Sequence, residues 1–326
     1  MLLITNFSIA LIISLVTIVS TFIIIKYFIR RFLKKGYTVK DMYKLNKPDI
    51  PTMGGFTIIA GIMISIVITQ LLVDVIDITR FLVFYMIIII YGTFGLMDDL
   101  IDIGRKIKIF APYFMALPIA LVTTDTNISL LVYTLELGIV YSYLFAPVYI
   151  MVVSNLINMH SGYNGLSGGL TFLLLCFVSL KLILDGPLRL LFYIIPLFFS
   201  LAAFMWYNKY PSRIFLGNSG TLLIGAGLGA LLVFFNMEFF GIIILIPHII
   251  NFLFWIFWSG YLMKKYPKKY PHIKFGKIKK DNTIEIPNYL TVKYAITKIF
   301  KANENQATWI CFAFTGIFGI IGVVFF

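Results

Sequence analysis

Ten apolar runs, at about 7–29, 53–73, 81–97, 109–123, 139–157, 169–184, 190–207, 219–236, 240–263 and 306–326, set the terms on which this 326-residue chain can fold. A run of about 20 apolar residues matches the hydrocarbon thickness of a bilayer. Inside lipid every backbone polar group must be bonded internally, which leaves helices for segments of this kind. Hydrophobic residues make up 60% of the chain and charged residues 13%. A soluble fold of this size cannot hide so much apolar surface. A soluble enzyme, a disordered chain and a fibrous protein are therefore excluded. The expectation is an all-α polytopic membrane protein of about ten transmembrane helices, forming one domain over 1–326. No internal repeat or low-complexity tract suggests a second unit.

Charge sets the orientation. The chain carries 27 basic and 14 acidic residues. Such an excess on a soluble protein would raise nucleic acid as a partner. Here it is concentrated in alternate connections, the pattern of cytoplasmic loops. Of the 27 basic residues, 24 fall in the connections after runs one, three, seven and nine; Arg80, Lys181 and Arg189 remain for the opposite side. This places both termini outside and 264–305, the longest polar connection, in the cytoplasm. Within it, His272–Ile278, a Lys-Lys-Asp-Asn turn and Thr283–Ile286 read as a small β-hairpin. Asn303 to Gln306 reads as the cap of the last span. The first apolar run is too long for a signal-peptide core and reads as a retained span. Cys176 and Cys311 lie in apolar runs and imply neither a disulfide nor a zinc site.

Four polar motifs lie at the cytoplasmic ends of spans. Lys47-Pro-Asp-Ile-Pro-Thr-Met-Gly-Gly55 brings an extended segment into span two, and its plainest reading is a helix start. Asp98, Asp99 and Asp102 close span three and are followed by Arg105, Lys106 and Lys108. Adjacent carboxylates there must be hydrated, paired or metal-bound. Facing lysines, they suit a magnesium ion and a phosphate substrate; a helix end with internal ion pairs is the plain alternative. Asn155-Leu-Ile-Asn158-Met-His160-Ser-Gly162-Tyr-Asn164-Gly165 supplies amide oxygens and a glycine turn that exposes backbone N–H groups. A flexible hairpin would read the same way, and His160 reads more simply as a hydrogen-bonding loop residue than as a ligand. Pro211-Ser-Arg213-Ile-Phe215-Leu-Gly217-Asn218 opens span eight without the lysine of a phosphate-binding Walker loop. Further along that span, Gly225 and Gly229 have the spacing of a close helix contact.

Together these motifs resemble the polyprenyl-phosphate N-acetylhexosamine-1-phosphate transferases. The Ile50-Pro-Thr-Met-Gly-Gly segment, the Asp98-Asp99 pair, the Asn155-x-x-Asn158…Gly162-x-Asn164-Gly165-Leu166 loop and the Pro211-Ser-Arg-Ile-Phe-x-Gly turn stand in family order and spacing over nearly the whole chain. Pro247-His-Ile-Ile-Asn251 and Asn303-Glu-Asn-Gln-Ala-Thr308 resemble the dolichyl-phosphate GlcNAc-1-phosphate branch, and the triple-histidine motif of the MurNAc-pentapeptide enzymes is absent. The resemblance implies an enzyme that moves N-acetylglucosamine-1-phosphate from UDP-GlcNAc to a polyprenyl or dolichyl phosphate at a cytoplasmic site. It implies magnesium, or manganese, on Asn158 and Asn218. It implies catalytic roles for Asp98, Asp99 and Lys108, and substrate contacts from Asp102, Asn155, Gly162, Asn164, Phe215, Lys268, Lys269 and His272. Two positions depart from the family pattern. Asn218 stands where an aspartate is usual, and Lys268-Lys269 stand in place of an Arg/His set. Partners would be the nucleotide sugar and membrane lipid, with a homodimer allowed and no nucleic acid. The compact loops favour an archaeal plasma membrane over the endoplasmic reticulum. A lipid or ion transporter and a catalytically inactive lipid-binding relative are the alternatives. The placement of Asp98 and Asp99 at a span's end rather than its middle weighs against the transporter.

Overall fold

The computed structural model describes residues 2–74, 77–101, 103–129, 133–270, 273 and 275–326. The chain is an all-α polytopic membrane protein. Its helices are α1 (Leu2–Lys35), α2 (Gly55–Leu72), α3 (Ile78–Ile101), α4 (Arg105–Ala116), α5 (Ala146–Met159), α6 (Leu166–Asp185), α7 (Leu191–Asn208), α8 (Gly217–Phe234), α9 (Glu238–Ile244), α10 (Ile246–Trp255), the short α11 (Met263–Lys265), α12 (Val292–Phe300) and α13 (Glu304–Phe325). Among the described residues, nine helical segments are long and apolar enough to cross a membrane. Two include a π-helical stretch: Tyr141–Phe145 leads into α5, and Ile256–Leu262 joins α10 to α11.

The fourth expected run takes a different form. Its residues lie in the 12-residue α4, which contains Pro112, and in a 3-10 helix over Leu117–Leu121 with Pro118 in its first turn. Proline removes a backbone donor and crowds the preceding turn, so this stretch does not continue as one long α-helix. At the usual rises the two pieces still extend roughly 28 Å, close to the hydrocarbon thickness.

Three small antiparallel pairings lie outside the helices: β1 (Thr38–Lys40) with β2 (Asp49–Pro51), β3 (Asn127–Ser129) with β4 (Thr134–Glu136), and β5 (Lys277–Ile278) with β6 (Ile284–Glu285). The last occupies the segment expected to form a hairpin. Asn303 caps α13 as expected: its side chain accepts from Gln306 N while Gln306 Oε1 accepts from Asn303 N.

Helix α8 is the axis of the bundle, buried over most of its length, with α3 and α5 packed along it. Its small residues permit this. A Cβ on Gly225 would stand 2.8 Å from Ser154 Cα, and one on Gly229 would stand 3.1 Å from Ile150 Cα. The glycine spacing seen in the sequence is thus the α5–α8 contact. Gly220 meets Gly55 of α2 in the same way and draws the start of α2 against the start of α8.

Helix α3, 24 residues long, separates the two ends of the bundle by roughly 36 Å. One end carries Asp98 and Asp99. The other carries Arg80, whose guanidinium donates to Thr124 Oγ1 at 2.6 Å, and Asn236, which donates to Asp125 at 2.8 Å. Glu238 is buried there, accepting from the Tyr141 hydroxyl. Burial pushes the Glu238 carboxyl up to about 7, against the opposing effect of its hydrogen bonds. Because its folded value lies above the ordinary value near 4.5, the folded state holds this proton more tightly than the unfolded chain. The resulting stabilisation is full below about pH 4.5 and is lost as pH rises through about 7. Glu238→Gln should remove this dependence. Melting temperatures of the two proteins in detergent should diverge between pH 5 and pH 8, and parallel curves would contradict the assignment.

Candidate active site

The C-terminal end of α3 delivers two carboxylates that do different things. Asp98 points inward and is 5% exposed. Its Oδ1 accepts from Ile103 N and from Lys108 Nζ, each at 2.9 Å, and its Oδ2 accepts from Asn218 Nδ2 at 2.8 Å. Asp99 faces the start of α8, accepting from Asn218 N at 2.8 Å and Ser219 N at 3.0 Å. It therefore caps another helix, where the exposed N–H groups and the helix dipole favour negative charge. Gly217, at φ +68, makes the close approach possible, since a Cβ there would run into Asp99.

Asn158, at the end of α5, reaches the same place. Its Oδ1 accepts from Thr221 Oγ1 at 2.7 Å, one turn into α8. Asp98, Asp99, Lys108, Asn158 and Asn218 are thus brought together at the crossing of α3, α5 and α8. Beside them opens a cavity of about 380 Å³. Thr52, Asp99, Asn158, Gly162, Asn164, Phe215 and Asn218 line it, so residues from four separate motifs share one space.

Not every expected contact is made. Lys268 and Lys269 are exposed and do not line the cavity. The proline and tyrosine turn that carries them ends on the surface, with Lys269 over the Tyr270 ring. Asn155 spends its amide nitrogen on Met151 O within its own helix, at 2.9 Å, and is likewise outside the lining. Asp102 and His272 lie outside the described residues. His160 is not the hydrogen-bonding loop residue expected. It is buried, neither ring nitrogen has a partner among the described residues, and its ring meets His248 edge-on at 4.6 Å. Burial, then the neighbouring His248 and Lys293, hold the His160 imidazole well below its ordinary range, so it is neutral.

The pairings in the most extensive polar network at the site had no local signal. Lys44, from the β1–β2 loop, donates to Glu304 Oε2 at 2.5 Å and lies 3.3 Å from Asp41 Oδ2. Glu304 Oε1 accepts from Asn164 N and Nδ2 at 2.7 and 2.8 Å, and Asn164 Oδ1 accepts from Ser212 N at 2.7 Å. Four segments distant in sequence are tied together through buried groups. Asn164 in particular is saturated by protein partners. Lys293 is a second such case. It is buried, donates to Ser161 O at 2.6 Å and stands over the Tyr163 ring at 4.7 Å. Burial pushes the Tyr43, Tyr163 and Tyr294 phenols around it upward, so its aromatic surroundings stay neutral.

Residues 81–236 match the family model of glycosyl transferase family 4. That stretch contains Asp98, Asp99, Lys108, Asn158, Gly162, Asn164, Phe215 and Asn218. A relative from Saccharolobus solfataricus is 29% identical over 95% of this chain and 94% of its own length. One from Sulfolobus acidocaldarius is 27% identical over 95% of this chain and 93% of its own. Both are provisionally named UDP-N-acetylglucosamine–dolichyl-phosphate N-acetylglucosaminephosphotransferase. The phospho-N-acetylmuramoyl-pentapeptide-transferase of Staphylococcus haemolyticus is 26% identical over 70% of this chain and 77% of its own. Lys44 and Glu304, which brace the cavity, lie outside the segment matched to glycosyl transferase family 4.

Proposed function

We propose that this chain transfers N-acetylglucosamine-1-phosphate from UDP-GlcNAc to a polyprenyl (dolichyl) phosphate, releasing UMP and forming the lipid-diphosphate sugar that starts N-glycan assembly. The observation that carries this reading is the meeting of Asp98, Asp99, Lys108, Asn158 and Asn218 beside a cavity at one end of a membrane bundle. The names of the two archaeal relatives support the substrates. The distribution of basic residues supports a cytoplasmic site, and the compact loops support an archaeal plasma membrane.

In this reaction an oxygen of the lipid phosphate attacks the β-phosphorus of the nucleotide sugar. The bond from that phosphorus to the bridging oxygen breaks, and UMP leaves with the electron pair. The lipid phosphate is already anionic at neutral pH, so catalysis is mainly positioning and charge neutralisation. Asp98 aims Lys108, which offsets phosphate charge. Asp99, on the cavity wall, orients the incoming phosphate or takes its remaining proton. Phe215 offers a ring face to uracil, and the Gly162 turn lets the backbone approach the uridine.

The residues also fit a magnesium or manganese ion. All the donor atoms are oxygens, as a hard cation requires. Asn218 spends its Nδ2 on Asp98, and its Oδ1 accepts no hydrogen bond among the described residues. Asn158 and Asn218 would hold the ion with Asp98 and Asp99 beside it; when bound, it supplies positive charge to the diphosphate.

Lipid-dependent release of UMP from UDP-GlcNAc by the purified chain tests the reaction. A transporter or an inactive relative would release none. Asn218→Asp tests the metal assignment. The substitution sets a third carboxylate against Asp98, so without divalent cation the variant should melt below the parent. Magnesium should raise its melting temperature more than the parent's and halve-saturate its rate at roughly 5- to 150-fold lower concentration, the scale of about 1–3 kcal/mol for one nearby charge. Superimposable magnesium titrations would remove Asn218 from the site.

A further inference from the structure

The sequence Asn-x-Ser/Thr, with x other than proline, is the acceptor for N-linked glycans. Of the 14 asparagines in the chain, only Asn6 and Asn127 stand in it, as Asn6-Phe7-Ser8 and Asn127-Ile128-Ser129. Both fall at the end of the bundle opposite Asp98 and Asp99. Asn6 immediately precedes the first span, and Asn127 lies in the connection between Leu121 and Tyr141. No asparagine around the cavity has the motif.

The β3–β4 hairpin presents Asn127 as an acceptor. Side chains at i and i+2 of a strand share a face, so Asn127 and Ser129 lie on one side of β3 and Ile128 on the other. Ile128 is buried and holds the hairpin to the bundle, while Ser129 is exposed. In register opposite Asn127 and Ser129 stand Glu136 and Thr134, both exposed. Asn127 is half-buried and the other three are exposed, so the four make one polar face at the surface. The backbone N–H of Asn127 donates to Asp125 Oδ1 at 2.9 Å, and its carboxamide makes no hydrogen bond among the described residues. A two-stranded hairpin is marginally stable alone, so the strand can open to a membrane-bound transferase. The +2 hydroxyl already lies on the carboxamide's side.

We propose that Asn127 is an N-glycosylation site on the outer face of the membrane. The donor is a lipid-diphosphate-linked oligosaccharide and the catalyst an oligosaccharyl transferase in the same membrane. A bond forms between Asn127 Nδ2 and C1 of the reducing-end sugar. The bond from C1 to the phosphate oxygen breaks, the lipid diphosphate leaves with the electron pair, and the amide proton passes to the transferase's base. The proposal rests on the function proposed above to the extent that the cell must build such a lipid-linked glycan. The enzyme that begins glycan assembly on one side of the membrane then carries its end product on the other.

Full-length protein purified from the membranes of its own cells is digested, and the peptide containing Asn127 is weighed by mass spectrometry. It should be heavier by a glycan. Asn127→Gln and Ser129→Ala should abolish the added mass, and Ser129→Thr should keep it. An unmodified Asn127 in the parent chain overturns the proposal, as does added mass that survives Ser129→Ala. Lipid-dependent UMP release is measured on the same preparations and should be equal in all four, because Asn127 lies across the bilayer from the cavity. UMP release with an unmodified Asn127 defeats this proposal alone. A glycan on Asn127 without UMP release upholds it and defeats the proposed reaction alone.

Discussion

Asp99→Asn, folded and membrane-inserted, is expected to release UMP at least about 10²-fold more slowly than the parent chain, the scale for losing one electrostatic or proton-transfer group. The structure makes the test sharper than the sequence could, because Asp99 also caps α8 through Asn218 N and Ser219 N. An asparagine retains one carbonyl oxygen for those donors. The capping loss should be about 1 kcal/mol, visible as a modest fall in melting temperature. A purely structural Asp99 would lower stability and leave turnover per folded molecule unchanged. A catalytic Asp99 lowers turnover by orders of magnitude while most of the protein remains folded. Asp98→Asn should also lose at least about 10²-fold, since Lys108 would lose the carboxylate that aims it. Near-full activity in both variants would defeat the mechanism.

Lys44→Met is expected to destabilise the protein by on the order of 3–5 kcal/mol, the usual consequence of removing one partner from a buried ionic group. Lys44 is the cation between Glu304 and Asp41, whose side chains are 3% and 4% exposed. Without it two buried carboxylates face each other across Asn164. That amide, hydrogen-bonded to Glu304, Asp41 and Ser212, fixes the turn lining the cavity. The variant should therefore also bind UDP-GlcNAc more weakly. Glu304→Gln should be milder, because an amide oxygen can still accept from Asn164. Melting temperature and nucleotide-sugar affinity, measured on all three proteins, check both claims. An unchanged melting temperature in Lys44→Met would show that the network contributes no stability.

The sequence alone determined the solvent and therefore the architecture. Apolar runs long enough for lipid force backbone groups into helices, whatever their neighbours. It also singled out the candidate site: Asp98 and Asp99 stand out because carboxylates at the end of an apolar helix need a partner. The α5–α8 contact was legible for a related reason, since glycines four residues apart on one helix face exist to admit another backbone.

Tertiary structure decided the partners. Lys44, Asn164, Ser212 and Glu304 are far apart in the chain, and no local spacing encodes that their loops meet. Glu304 looked like an ordinary acidic residue in a helix's first turn, and Lys44 like one basic loop residue among several. The same ignorance ran the other way for Lys268 and Lys269. Their charge and position suited a phosphate, but the turn that carries them leaves both exposed and outside the cavity lining. Composition and periodicity report the medium each segment must live in. Which charges neutralise one another is settled by proximity in space, and that arises only when α3, α5 and α8 pack together and draw their connecting loops to one end.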